Sequence, residues 1–127
     1  MTRTLFDNYG GFASVSKIVS AFYDKVLDSD QLSRFFMNVN MRRLIDHQTK
    51  FIASIMGGPA SFTDDALYRA HANLGITRED FEEAVELLVE TLEDFDMADA
   101  DIEHLRGVVM RAEKLIVAPA VRPQAAG

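Results

Sequence analysis

The 127-residue chain reads as an all-α, single-domain protein, and three observations lead there. Apolar residues recur at the three- and four-residue spacing of helices in successive stretches. No stretch alternates apolar and polar residues with the two-residue period of a strand. No internal repeat and no long linker divides the chain, whose length suits one core. The domain is expected to span residues 1–118, with residues 119–127 as a flexible C-terminal tail.

Residues 2–9 fit a short helix closed by Gly10-Gly11. Residues 12–28 predict an amphipathic helix with Val15, Ile18, Val19, Phe22 and Val26 on one face and Tyr23 at its edge. Asp28-Ser29-Asp30 signals a turn, and Gln31–Phe36 reads as a short helical or irregular piece. After the break at Asn38 and Asn40, a second helix runs from about Met41 to Met56. Its apolar positions are Met41, Leu44, Ile45, Phe51, Ile52 and Ile55. Gln48 falls in the middle of that face and His47 on its flank. Gly57-Gly58-Pro59 stops it, and residues 57–63 form a loop.

Asp64–Gly75 predicts a short helix. Thr63 is its N-cap, Asp64 and Asp65 favour the first turn, and Gly75 suits a left-handed stop. Thr77 caps the next helix, with Asp80 three residues on in a weak capping box. Phe81, Ala84, Val85, Leu88, Leu92 and Phe95 form its buried stripe. Asp94–Asp99 is a turn. The last helix is expected over Asp99–Ala118, with Ile102, Leu105, Val109, Ala112 and Ile116 inward, until Pro119 ends it.

Leu67, His71 and Leu74 share one face of the Asp64–Gly75 helix, so an imidazole lies in an apolar stripe. Two readings are open. One is a core histidine bonded to a carbonyl. The other is a metal ligand aimed into an apolar cleft. Tyr23 and Gln48, from two other helices, also carry polar groups toward the interior, among Phe35, Phe36, Phe51 and Ile52. A buried amide without a partner costs roughly 1–3 kcal/mol, so Gln48 calls for a bonding partner or an exposed setting. No second ligand has zinc-site spacing with His71. A cofactor that brings four of its own ligands and needs one from the protein fits these constraints, and haem held by a proximal histidine is such a cofactor.

Composition narrows the function classes. A net charge of −7 argues against nucleic acid as a partner. The absence of cysteine excludes disulfides, thiolate metal sites, cysteine nucleophiles and c-type haem attachment. No apolar run suggests a signal peptide or a membrane span, so a cytoplasmic protein is expected, with no membrane partner.

Several stretches, in order, resemble a known family. Leu5-Phe6-Asp7-Asn8-Tyr9-Gly10-Gly11 is similar to the opening segment and first glycine pair of the truncated, two-over-two haemoglobins of group I. Phe22-Tyr23 resembles their distal tyrosine. Phe35-Phe36, followed by Asn40-Met41, resembles the corner that packs phenylalanine on haem. His47-Gln48 with Phe51, then Gly57-Gly58-Pro59, resembles the distal helix and second glycine pair. Ala70-His71-Ala72-Asn73-Leu74-Gly75-Ile76-Thr77 resembles the proximal segment. The likeness covers about residues 4–118.

The resemblance implies a two-over-two helical sandwich around one non-covalent b-type haem. His71 is then the iron ligand, and Tyr23 and Gln48 hydrogen-bond the bound gas. Leu44 stands where many globins carry a distal histidine. Phe36 is expected to stack on the macrocycle, while Phe51 and Ile52 wall the cavity. Ile52 replaces a phenylalanine found in some members, which leaves tunnel gating open. Phe62 stands where a propionate-binding tyrosine is common, so Arg43 or Arg69 is expected to take that role. His47 has two readings, a sixth iron ligand in the absence of gas or a surface histidine near the propionates. His104 reads as a solvated helix residue. No histidine near the end of the last helix suggests a covalent bond to haem.

The resemblance implies binding of dioxygen, nitric oxide and carbon monoxide, with nitric oxide dioxygenation to nitrate as the leading activity. That activity requires an external reductase, because the chain has no flavin or nicotinamide motif. Oxygen storage, transport or gas sensing without turnover is the alternative, and a haem-free helical interaction module is a third reading of another class. A monomer or weak dimer is expected.

Overall fold

A computed structural model describes residues 4–58, 71 and 74–117, and the described residues contain helices and turns without strands. Helix α1 is one turn, Leu5–Asn8, begun by Thr4, whose hydroxyl accepts from the Asp7 N–H at 3.1 Å. Helix α2 spans Gly11–Asp28. A 3-10 turn, Ser33–Phe36, follows. Helix α3 runs Met41–Ile55, capped by the Asn40 side chain, which accepts from the Arg43 N–H at 3.2 Å.

The sharp exit from α3 is held by α1. The Phe6 N–H donates to the Met56 carbonyl at 2.9 Å. Gly57 sits at φ +90°, and a Cβ there would lie 2.9 Å from Thr4. Both conformation and space therefore call for glycine.

Helix α4, Arg78–Asp94, has a complete capping box: Thr77 accepts from the Asp80 N–H, and Asp80 accepts from the Thr77 N–H, each at 3.0 Å. The sequence pattern predicted this box only weakly. Helix α5 spans Asp99–Arg111 and α6 spans Glu113–Ile116.

The core joins these elements. α2 packs mainly on α3 and α4, and α4 packs on α5, giving two helices over two. Val15, Ile18, Val19 and Val26 meet Ala53, Met56, Leu88, Leu92, Ile102 and Leu105. Each fully buried aliphatic side chain of this kind stabilises the fold by about 1.5–3 kcal/mol. The start of α5 has no side-chain cap, and Tyr9 fills that place from across the molecule. Its hydroxyl accepts from the Ala98 N–H at 3.1 Å and donates to Asp101 Oδ2 at 2.6 Å.

Two expectations need correction. The last helix is not continuous: it turns at Ala112, where i→i−3 bonds replace the α-helical ladder, and α6 then packs on α4. Phe95 is not part of the buried stripe, because it falls at the C-cap of α4 and is 39% exposed. The helix predicted over Asp64–Gly75 lies outside the described residues except for His71, Leu74 and Gly75. His71 has helical backbone, and Gly75 sits at φ +72°, as a left-handed stop requires. Phe62, Arg69, Pro119 and the expected tail at 119–127 also lie outside them.

Candidate functional site

The packing of α2, the 3-10 turn, α3 and α4 around His71 encloses a cavity of about 450 Å³. That volume falls within the roughly 300–1,000 Å³ range of cofactor pockets. Tyr23, Phe36, Leu44, His47, Gln48, Phe51, Ile52 and His71 all border it. The structure thus brings together the polar side chains that the sequence pattern placed on three separate helices. Arg43 does not line the cavity; it stands exposed near the start of α3. Arg69 lies outside the described residues.

Tyr23 is more deeply buried than its place at the stripe edge predicted, at 7% exposed. Phe22 and Phe36 meet its ring edge-on, with centroids 4.9 and 5.7 Å away. A buried phenol needs a bonding partner. Gln48, which borders the same cavity, is its hydrogen-bonding neighbour. Burial pushes the Tyr23 hydroxyl well above its ordinary pKa of 10.0, and the bond to Gln48 pulls back only in part. Tyr23 is therefore a neutral phenol, with a proton to donate, throughout the physiological range.

α3 divides its apolar stripe between two tasks. Thr49, Ala53 and Met56 are buried in protein. Leu44, Gln48, Phe51 and Ile52 are only half-buried, because they border the cavity. His71 is half-buried and His47 exposed, so the two imidazoles occupy the interior and the rim of one space. His104 is exposed, as expected of a solvated helix residue.

Sequence reasoning did not foresee the cavity lining from the C-terminal half. Ile76, Phe81, Ala84 and Val85 border the cavity, as do Val109 and Ile116. Phe81, Ala84, Val85, Val109 and Ile116 were all legible as inward positions, but periodicity does not separate a residue packed on protein from one packed on a ligand. The turn at Ala112 precedes the segment that carries Ile116 to the cavity.

The family model described as bacterial-like globin matches residues 4–117. The chain belongs to this family. Among its relatives, a group 1 truncated haemoglobin of Tetrahymena thermophila is 29% identical over 111 residues, covering 87% of this chain and 92% of the relative. A group 1 truncated haemoglobin of Synechocystis is 29% identical over 109 residues, covering 83% of this chain and 88% of the relative. Among solved structures, the truncated haemoglobin of Tetrahymena pyriformis in its Fe(III) form superposes with a TM-score of 0.84 at 26% identity, covering 92% of this chain and all of that one. The 2/2 haemoglobin of a Synechococcus, described with covalently attached haem, gives 0.83 at 29% identity, covering 91% of this chain and 98% of the other.

The truncated-haemoglobin reading of the sequence is thus correct, in fold as in family. This bacterial-like globin takes haem as its cofactor. The cavity fits that cofactor on its own terms. Its walls are largely aliphatic and aromatic, it offers a half-buried imidazole, and its Tyr23–Gln48 pair is already bonded internally. No helix among the described residues is long and apolar enough to cross a membrane.

Proposed function

We propose that this globin binds dioxygen at haem held by His71 and uses it to convert nitric oxide to nitrate. The observation that carries this reading is the buried Tyr23 hydroxyl, bonded to Gln48 and bordering the same cavity as His71. When bound, the haem supplies a gas-binding iron and the one-electron change that accompanies the oxidation of nitric oxide.

The chain's own residues do the rest. Gln48 would donate an amide N–H to the Tyr23 oxygen, in keeping with its lowering of the phenol's pKa. That arrangement would leave the phenol hydrogen to be donated into the cavity. A bond of this kind to a partially negative ligand atom is roughly twice as strong as a neutral one. Leu44 offers no hydrogen bond, so polarity toward the gas rests on Tyr23 and Gln48. Phe36 would pack against the haem, and Phe51 and Ile52 would help exclude water from the cavity. Arg43 or Arg69 would pair with a propionate, and His47 stands at the rim. Turnover needs an external reductase to restore ferrous iron.

The test is a single turnover. Reduced haem protein equilibrated with dioxygen is mixed rapidly with nitric oxide. One nitrate per haem and a fully ferric spectrum within milliseconds are expected. Displacement of dioxygen without nitrate would assign the protein to gas storage or sensing instead.

A further inference from the structure

Asp80 makes more bonds than a helix cap needs. In the capping box its carboxylate has one task, accepting from the Thr77 N–H. Such a carboxylate is ordinarily solvated, yet this one is 3% exposed and borders the cavity. Two side chains from far away in sequence converge on it. Gln31 donates to Oδ1 and Arg34 to Oδ2, each at 3.0 Å. Arg34 is itself fixed, because its Nε donates to the Gln31 carbonyl at 3.1 Å and its guanidinium lies 4.7 Å from the centroid of the Phe35 ring.

These contacts bridge two segments of the cavity wall. One is the turn Ser33–Phe36, whose two phenylalanines border the cavity and whose Phe36 packs on Tyr23. The other comprises His71, Leu74, Ile76 and the start of α4. They belong to distant stretches of the chain, with Asp80 49 residues from Gln31 and 46 from Arg34. A buried carboxylate with all of its bonds made is rigid, and losing one partner leaves charge uncompensated.

We propose that Asp80 is a positioning residue that staples the Ser33–Phe36 turn to the His71 side of the cavity and thereby limits the escape of haem. The proposal rests on this cavity being the haem site. Its action is on the seam, not on overall stability, and that distinction can be measured.

Haem transfer from the ferric holoprotein to an excess of apomyoglobin would be followed optically, with urea unfolding of the apoproteins in parallel. Asp80→Asn keeps an acceptor for the cap but loses the ion pair. Arg34→Met leaves the cap untouched at a side chain that is 59% exposed, so it tests the staple even where Asp80→Asn folds poorly. Each should speed haem loss by about tenfold or more, and the double variant should be no faster than Asp80→Asn alone, since both remove one interaction. Thr77→Ala removes a cap bond and leaves the staple; it should lower the urea midpoint while haem loss stays within about twofold of wild type. Haem loss that follows the urea midpoint equally in all three single variants would overturn the staple. Wild-type protein that takes up no stoichiometric haem would instead overturn the haem reading beneath it.

Discussion

The part of the cavity wall contributed by α2 and α3 and the part contributed by His71, Ile76 and α4 enclose one space but are built differently. On the first, the polar chemistry is paired internally: Tyr23 is buried and bonded to Gln48, with Phe22 and Phe36 edge-on against its ring. On the second, a half-buried imidazole and many aliphatic and aromatic side chains border the cavity, and the buried Asp80 carboxylate bonds Gln31 and Arg34. A side that keeps a phenol hydrogen for a ligand can alter what gas feels without gripping the cofactor. A side that offers a nitrogen ligand can grip the cofactor without discriminating among gases. Holding and tuning are thus separable, and substitutions on the two sides should differ in kind.

The largest effect is expected at His71. His71→Ala should lose most of its haem during purification, and added imidazole should restore uptake by replacing the missing ligand. The α2–α3 side alone buries apolar surface but supplies no comparable iron ligand in its resting geometry. A variant that keeps haem with an unchanged ferrous spectrum would move the proximal role to another residue and erase the contrast.

A smaller and different effect is expected at Tyr23. Tyr23→Phe should keep haem and raise the dioxygen off-rate by at least tenfold, about 1.4 kcal/mol of barrier. Carbon monoxide, which carries less charge when bound, should change less. Equal effects on both gases would indicate altered access. The pH dependence follows from the direction of the Tyr23 shift. Its folded pKa is raised above 10.0, so the donor is fully present below that value and is lost only as pH climbs beyond it. The wild-type off-rate should therefore be flat from pH 6 to 9, as far as Tyr23 controls it.

The sequence revealed the helices because their stripes are long and their stops strong. Thr77 and Gly57 mark boundaries where the structure has them, and Gly75 has the left-handed backbone expected of it. It also placed Tyr23, Gln48 and His71 around one interior, since each is a polar residue in or beside an apolar stripe. What it hid has physical reasons. Thr49 and Thr91 read as polar, yet each donates its hydroxyl to a carbonyl four residues back at 2.7 Å and so is buried without cost. Asp80 was legible as a cap but not as a staple, because Gln31 and Arg34 lie 49 and 46 residues away. The turn at Ala112 carries no breaker, since alanine is the strongest helix former. The partition of α3 into a core half and a cavity half is invisible to periodicity, which counts both as apolar.

His47 offers the finest test of the contrast, because it would give the α2–α3 side a ligand of its own. Its imidazole is exposed at the rim, on the helix that carries Leu44 and Gln48 into the cavity. To reach iron, the His47 end of α3 must shift inward. The far end of α3 is poorly suited to move. Ala53 and Met56 are buried, the Gly58 N–H donates to the Ala53 carbonyl at 2.8 Å, and Phe6 holds the Met56 carbonyl. The near end is freer: Met37–Asn40 is exposed, and the Asn40 cap is a single bond. We therefore expect a shift hinged near Asn38–Asn40 that gives a six-coordinate His71–iron–His47 population in the ferrous protein without gas. His47→Leu should remove that low-spin component and tighten apparent gas affinity by the inverse of the open fraction, a modest change where the open form already dominates. Haem retention should stay as in wild type, since the proposed proximal ligand, His71, is unchanged. A wild type that is wholly high-spin, with a ferrous spectrum that His47→Leu leaves unchanged, would return His47 to the propionate edge and leave the α2–α3 side with tuning alone.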